Sequence, residues 1–271
     1  MLIGGVVCLV IGAILVAVHV WARRRAAHLA RARETTADEL VSVGKMLAKE
    51  LGDGGGLSEF ATLRGRIECP SPLRSPLGER PCVHYRMSVT RKYEEQYEER
   101  DKQGNVRRGT RTGSEVVNSS SQSCDFDLVD EQGGRVTVRA PGVDMDGTRS
   151  TVDRFQPDTG FGGSLSFGGF SMSLPTGMGM GGLGVSGRRT LGYQFDEDVM
   201  PLGEQVTVVA QVGDRGGRLE ARSGGACFIV STRTRKELIG SANKTASWTA
   251  AGSGLLCLIG LGLTVAGLIA G

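Results

Sequence analysis

The chain has 271 residues and a formal net charge of +3, too small a basic excess for nucleic acid to be an expected partner. Its six cysteines form no C-x-x-C pair and stand beside only three histidines, which excludes the short-spaced ligand pairs of a structural zinc site. The polar middle of the chain is long enough for one domain with its own core.

Residues 1–21 open the chain with an apolar stretch. Leu2 to Trp21 carries no Asp, Glu, Lys or Arg. A helix crossing a hydrocarbon core needs roughly 20 apolar residues, so this stretch reads as a first transmembrane helix. A cleaved signal peptide is the alternative, but it needs a positive region ahead of the apolar one. Here the charge follows, at Arg23, Arg24 and Arg25. These arginines are expected to meet the anionic headgroups of the lipid bilayer, with Trp21 and His19 near the interface.

Residues 22–51 read as helix, because Leu29, Leu40, Val43, Met46, Leu47 and Leu51 recur at three- and four-residue steps. Thr36 with Glu39 matches a capping box, so a second helix is expected to begin there. The segment 22–56 is thus a juxtamembrane helical segment. It lies on the bilayer or packs on the domain.

From Ala61 the pattern turns to strands. Residues 63–67 form one. Pro70, Pro72 and Pro76 hold an extended loop. Over 82–93, Val83, Tyr85, Met87 and Val89 share one face of a strand. The charged run 94–111 reads as the solvated end of a long hairpin turning at Gly104-Asn105. A second hairpin is expected over 124–138, turning at Gln132-Gly133-Gly134. Further strands are expected over 205–212 and 227–231, and a short helix over 233–241.

Segment 159–187 mixes many glycines with Phe161, Phe167, Phe170, Met172, Met178 and Met180. It reads as a disordered insertion, with the sharper option that its Phe and Met side chains dip into a membrane. Gly177, Gly179 and Gly182 match G-x-G-x-x-G without a strand-then-helix setting, so no dinucleotide site is read there.

Residues 247–271 again carry no charge and read as a second transmembrane helix. Arg233, Arg235, Lys236 and Lys244 precede it. With both basic flanks facing the middle domain, the positive-inside rule places that domain in the cytoplasm, as in a two-pass protein of a bacterial inner membrane. Gly260, Gly262 and Gly267 would let such helices pair, within one copy or between copies of a homo-oligomer.

No phosphate-binding loop and no G-x-S-x-G elbow is present. Cys82 and His84 stand two apart on one strand face, so a thiol–imidazole pair is conceivable. It is weighed against two ordinary strand residues. If Val83 and Tyr85 face the core, Cys82 is left exposed. Asp196, Glu197 and Asp198 read as a solvated acidic turn. No cofactor and no metal site is expected, and the remaining cysteines read as buried thiols.

Several phrases in order resemble the GIDE family of mulan-like mitochondrial ubiquitin ligase activators, whose domain is also called BAM (beside-a-membrane). They are Gly65-Arg66-Ile67, Ser75-Pro76-Leu77, Cys82-Val83-His84-Tyr85, Phe126-Asp127-Leu128-Val129-Asp130, Val136-Thr137-Val138, Phe195-Asp196-Glu197, Val206-Thr207-Val208 and Phe228-Ile229-Val230-Ser231. The resemblance implies an α+β membrane protein: a β-rich, mostly antiparallel domain over 61–238 between two transmembrane helices. In eukaryotic relatives a RING finger follows the second helix, and no Cys/His cluster here matches one. Two functions follow. The first is a non-catalytic membrane module binding a protein partner or small ligand, with stress or defence signalling as its setting. The second is an E3 ubiquitin ligase-like subunit using a RING supplied in trans.

Overall fold

A computed structural model describes residues 2–51, 56–100, 104, 106–158, 164–173, 188–215, 218–223 and 227–269. Helix α1 (Leu2–Arg31) leads to a short strand β1 (Arg33–Glu34) and helix α2 (Ala37–Leu51). Strands β2 (Ser58–Glu68) and β3 (Leu73–Arg74) precede two long strands, β4 (Pro81–Arg100) and β5 (Val106–Ser123). Next come β6 (Phe126–Val129), β7 (Arg135–Val138), β8 (Asp144–Asp146), β9 (Arg149–Pro157), β10 (Ser164–Phe167) and β11 (Phe170–Ser173). The chain continues through β12 (Arg188–Pro201), β13 (Gln205–Arg215), β14 (Arg218–Arg222) and β15 (Ile229–Ser231) into helix α3 (Arg235–Ile269).

The chain divides into two compact units, whose boundaries fall within β2, β6 and β7. The first comprises Met1–Gly65, Leu128–Thr137 and Gln205–Gly271. Here β2, β6, β7, β14 and β13 pair in that order, and β13 pairs back to β2. The ring closes into a five-stranded barrel, which leaves those strands no free edge. Leu63, Leu128, Val136, Val206 and Val208 are all buried. On β13 every residue from 206 to 210 is buried, because Leu29 of α1, Ile229 of β15 and Leu238 of α3 pack against Val209. Thr36 caps α2 as its spacing predicts: its Oγ1 accepts the Glu39 amide at 3.1 Å. The amide of Asp38 is bound from further away, by Asp130 Oδ2 at 2.8 Å. Gly134 is needed there, since a Cβ at that position would stand 2.1 Å from the Asp38 nitrogen.

The two apolar ends take a different form from the one expected. Helix α1 runs unbroken through Arg23, Arg24 and Arg25 to Arg31, and α3 starts at Arg235. The two helices contact each other, and His19 Nδ1 donates to the Ala246 carbonyl at 2.7 Å. Among the described residues, no helix is long and apolar enough to cross a membrane. This overturns the expected fold class, a β-rich domain between two transmembrane helices. Hydropathy registers only the apolar part of each sequence; the helices themselves are longer, carry charged turns, and belong to the unit that holds the closed barrel.

The second unit comprises Arg66–Asp127 and Val138–Glu204. Its sheet is antiparallel: β12 lies between β4 and β9, and β3 and β5 pair with the other edge of β4. The long hairpin runs from β4 to β5 with Arg100 opposite Val106. Gly104, at a φ of 87°, sits in its turn; Asn105 lies outside the described residues. Glu95 holds Arg188 at 2.6 Å and also pairs with Arg111, while Glu98 holds Arg108 at 2.6 Å.

Two expectations fail in this unit. Residues 164–173 of the supposed disordered insertion form the β10–β11 hairpin. Leu165 is buried in a core with Leu77, Met87, Val89, Tyr193 and Phe195, and Phe167, Phe170 and Met172 pack against it. Phe167 stacks on Phe195 with centroids 5.0 Å apart. At the hairpin turn Gly168, at a φ of 57°, lies so close to Leu77 that a Cβ would stand 2.1 Å from its carbonyl oxygen. Phe161, Met178, Met180 and the G-x-G-x-x-G glycines lie outside the described residues. The acids at 196–198 are not a turn either. They lie within β12, and Glu197 is only 1% exposed.

Candidate ligand cleft and thiol cluster

The pair singled out by sequence, Cys82 and His84, begins β4. Strand alternation there leaves neither face open: Cys82, Val83, His84 and Tyr85 are all buried. Cys82 packs with Tyr85, Val199 and Leu73. Burial, with the charge of Glu197 and the neighbouring Cys124, pushes its thiol up to about 11. A nucleophilic cysteine needs the opposite, a lowered pKa and access. Burial and the nearby Arg86 lower the His84 imidazole from its usual value. His84 Nδ1 lies 2.8 Å from Ser123 Oγ. The geometry thus offers a protonated thiol beside a neutral imidazole engaged elsewhere.

Glu197 is held in a closed cradle. Its Oε2 accepts the Leu77 amide at 2.7 Å, and its Oε1 accepts the Gly78 amide at 3.0 Å and the Thr151 hydroxyl at 2.8 Å. Three donors on one buried carboxylate give it fixed partners, so this acid fastens the 75–80 loop to β12. Ser75 closes the same loop, accepting the Glu79 amide through its carbonyl at 3.0 Å and the Arg80 amide through Oγ at 3.1 Å.

A second sulfur contact escaped the sequence. Cys69 follows β2 and Cys124 joins β5 to β6, and their sulfurs lie 3.9 Å apart. Among the described residues, no group of three or more His, Cys, Asp or Glu is placed to hold a metal ion.

The first unit carries a cleft of about 310 Å³. Its floor comes from the barrel: Thr62 and Arg64 are two apart on β2, and Thr207 lies on β13. In β2 the neighbours Leu63 and Gly65 are buried while Arg64 is exposed. Barrel alternation therefore turns Thr62 and Arg64 to the outer face. The wall is the α1–α2 connection. Strand β1 pairs in parallel with β2, Glu34 opposite Thr62, which brings Glu34, Thr35, Thr36 and Glu39 to the cleft. Arg235, the first residue of α3, closes it. Its Nη2 donates to the carbonyls of Ala30 at 2.9 Å and Ala32 at 3.2 Å, and Glu34 lies 3.8 Å from its Nη1.

Two buried polar atoms on this lining have no hydrogen-bond partner: Thr62 Oγ1 and Arg235 Nε. Thr62 is only 3% exposed. The third such atom among the described residues, Tyr193 Oη, belongs to the second unit. Buried polar groups nearly always find a partner, and an unmet one costs about 1–3 kcal/mol. Two in one cleft mark a place where a bound molecule would complete the hydrogen bonding. None of these residues carries a motif. The available signal was two polar side chains in alternation on β2 and a threonine within the apolar run of β13.

Comparison with known families decides the relationship. The family model described as GIDE, E3 Ubiquitin ligase, matches residues 94–267. The chain belongs to the GIDE family. The match begins within β4, downstream of the phrases at 65–85, and runs through most of α3. Neither a curated protein nor a solved structure matches. Arg235 and Thr207 of the cleft, with Glu197, lie inside the matched GIDE region, while Cys69 and Cys82 precede it.

Proposed function

We propose that this GIDE chain is a non-catalytic member of its E3 ubiquitin ligase-related family, a module that binds a small polar ligand or a partner's polar group in the cleft of its first unit. The observation that carries the reading is the coincidence of Thr62 Oγ1 and Arg235 Nε, buried and unpartnered, on one lining. An oxygen acceptor reaching the Arg235 N–H, with Arg64 at the rim, fits that chemistry. The buried, protonated Cys82 thiol supports the non-catalytic half. On the same reading, exposed Val7, Val10, Ile11, Ile14 and Trp21 of α1, beside Arg23 and Arg24, meet a further partner surface with anionic lipid headgroups.

The test is a reconstituted ubiquitination reaction with the purified chain and a panel of conjugating enzymes. No ubiquitin chains are expected. Chains that form with the wild type and vanish with Cys82→Ala overturn the reading. The second reading, a ligase-like subunit acting with a RING supplied in trans, rests on the family match. Faster chain formation when this chain is added to a RING protein would favour it.

A further inference from the structure

Three thiols converge in the second unit, and two of them face each other. The sulfurs of Cys69 and Cys124 are 3.9 Å apart, and both residues are half-buried. Their backbones are fixed on both sides. Ile67, two residues before Cys69, donates its amide to Glu204 at 3.0 Å and accepts the Gly203 amide at 2.9 Å. The Cys124 amide donates to the Val83 carbonyl at 2.9 Å. The next residue, Asp125, is held by Arg139 at 2.6 Å and by the Ala140 amide at 3.1 Å. Its carbonyl oxygen lies 3.4 Å from the Cys69 sulfur. The two side chains are therefore presented to each other by an ordered frame. A disulfide needs its sulfurs at about 2.05 Å, so side-chain rotation has about 2 Å to close.

We propose that Cys69 and Cys124 form a thiol–disulfide pair, closed by exchange with a small-molecule disulfide such as oxidised glutathione and reopened by small thiols. In the first step the thiolate of one cysteine attacks a glutathione sulfur. A mixed disulfide forms, the glutathione S–S bond breaks, and one glutathione thiolate leaves. In the second step the other cysteine, its proton lost to solvent, attacks the protein sulfur of that mixed disulfide and expels the second glutathione. Two protein thiols are oxidised and one glutathione disulfide is reduced to two thiols. Burial and the adjoining Cys69 push the Cys124 thiol up to about 11, so closure quickens as pH rises toward that value, because the thiolate is the attacking species. Cys82 is fully buried and takes no part. The closed bond would encircle β3, β4 and β5, tying the base of the long hairpin to the end of β2. Such a cross-link restricts the unfolded chain.

The experiment uses the full chain. It is incubated with oxidised glutathione, quenched by an alkylating reagent, digested without reduction and read by mass spectrometry. A peptide pair linking Cys69 to Cys124 is expected, with Cys82 alkylated only after denaturation. The thermal midpoint of the oxidised sample should exceed that of a dithiothreitol-treated sample by several degrees, and Cys69→Ser should remove the difference. Two free thiols after oxidant excess, separate glutathione adducts on the two cysteines, or a link through Cys82 would each overturn the proposal.

Discussion

Each unit buries a polar side chain at a telling place, Glu197 in the second and Thr62 in the first, and the two are treated in opposite ways. In the second unit Glu197 lies 1% exposed with three donors on its two oxygens. In the first, Thr62 lies 3% exposed and its hydroxyl has no partner, as does the Nε of Arg235 across the same cleft. The difference separates architecture from recognition. A buried carboxylate whose bonds are all made within the chain holds a loop in place. Donors left unmet beside open volume are what the proposed binding role would use.

The sharpest way to break that contrast is Glu197→Leu. It strands the Leu77 and Gly78 amides, while the Thr151 hydroxyl keeps the Glu197 backbone carbonyl at 3.2 Å, and each lost partner costs about 1–3 kcal/mol. We expect a loss of roughly 3–5 kcal/mol in chemical denaturation. A loss below about 1 kcal/mol would show that the cradle fastens nothing. Next in size is Leu165→Ala. The β10–β11 hairpin enters the core through this side chain, so about 2–4 kcal/mol should be lost by the same measurement. No change would return the segment to the status of a loose insertion.

The converse experiment is Thr62→Val, which replaces an unpartnered hydroxyl by a methyl group of similar shape. Stability should stay level or rise by up to about 1 kcal/mol. Any thermal shift that a small dicarboxylate or inorganic phosphate gives the wild type should shrink in the variant. A clear destabilisation would mean that the hydroxyl already has a partner. The smallest effect concerns Glu95. Hydrogen bonds from Arg188 and then Arg111 hold its carboxyl below the usual carboxylate range. A lowered folded-state pKa gives stability that is present above the ordinary value and is lost as pH falls through the folded one. Protection factors of the amides over 94–100 and 106–111, corrected for the intrinsic pH dependence of exchange, should therefore fall in acid and stay level between pH 6 and about 8.

Local patterns in the sequence were readable where one strand or one cap settles the matter. Alternation placed β4, glycine marked the turn of the long hairpin, and Thr36 announced the start of α2. The family phrases were also informative, and two of them meet in the structure: Leu77 of Ser75-Pro76-Leu77 donates its amide to Glu197 of Phe195-Asp196-Glu197. What stayed hidden depends on distance along the chain. Closure of the barrel pairs β2 with β13, strands whose residues Arg64 and Gln205 are 141 positions apart. Cys69 and Cys124, 55 apart, have no spacing that announces a pair. Glu197 reads as a solvated acid until its donors are seen. The apolar ends were misread because hydropathy scores a stretch alone and takes no account of the partner helix.

Arg235 and His19 also bear on how the molecule is made. Arg235 binds the end of α1 across 205 residues of sequence, and His19 binds Ala246 across 227. Helix α1 leaves the ribosome long before either partner exists. At about 5–20 residues per second, the separation of 205 residues amounts to roughly 10–40 s during which the side of α1 that packs on α3 has no partner. A protein that joins its first helix to its last must keep that helix out of trouble while it waits. Helix α1 is where a nascent-chain chaperone would be needed most.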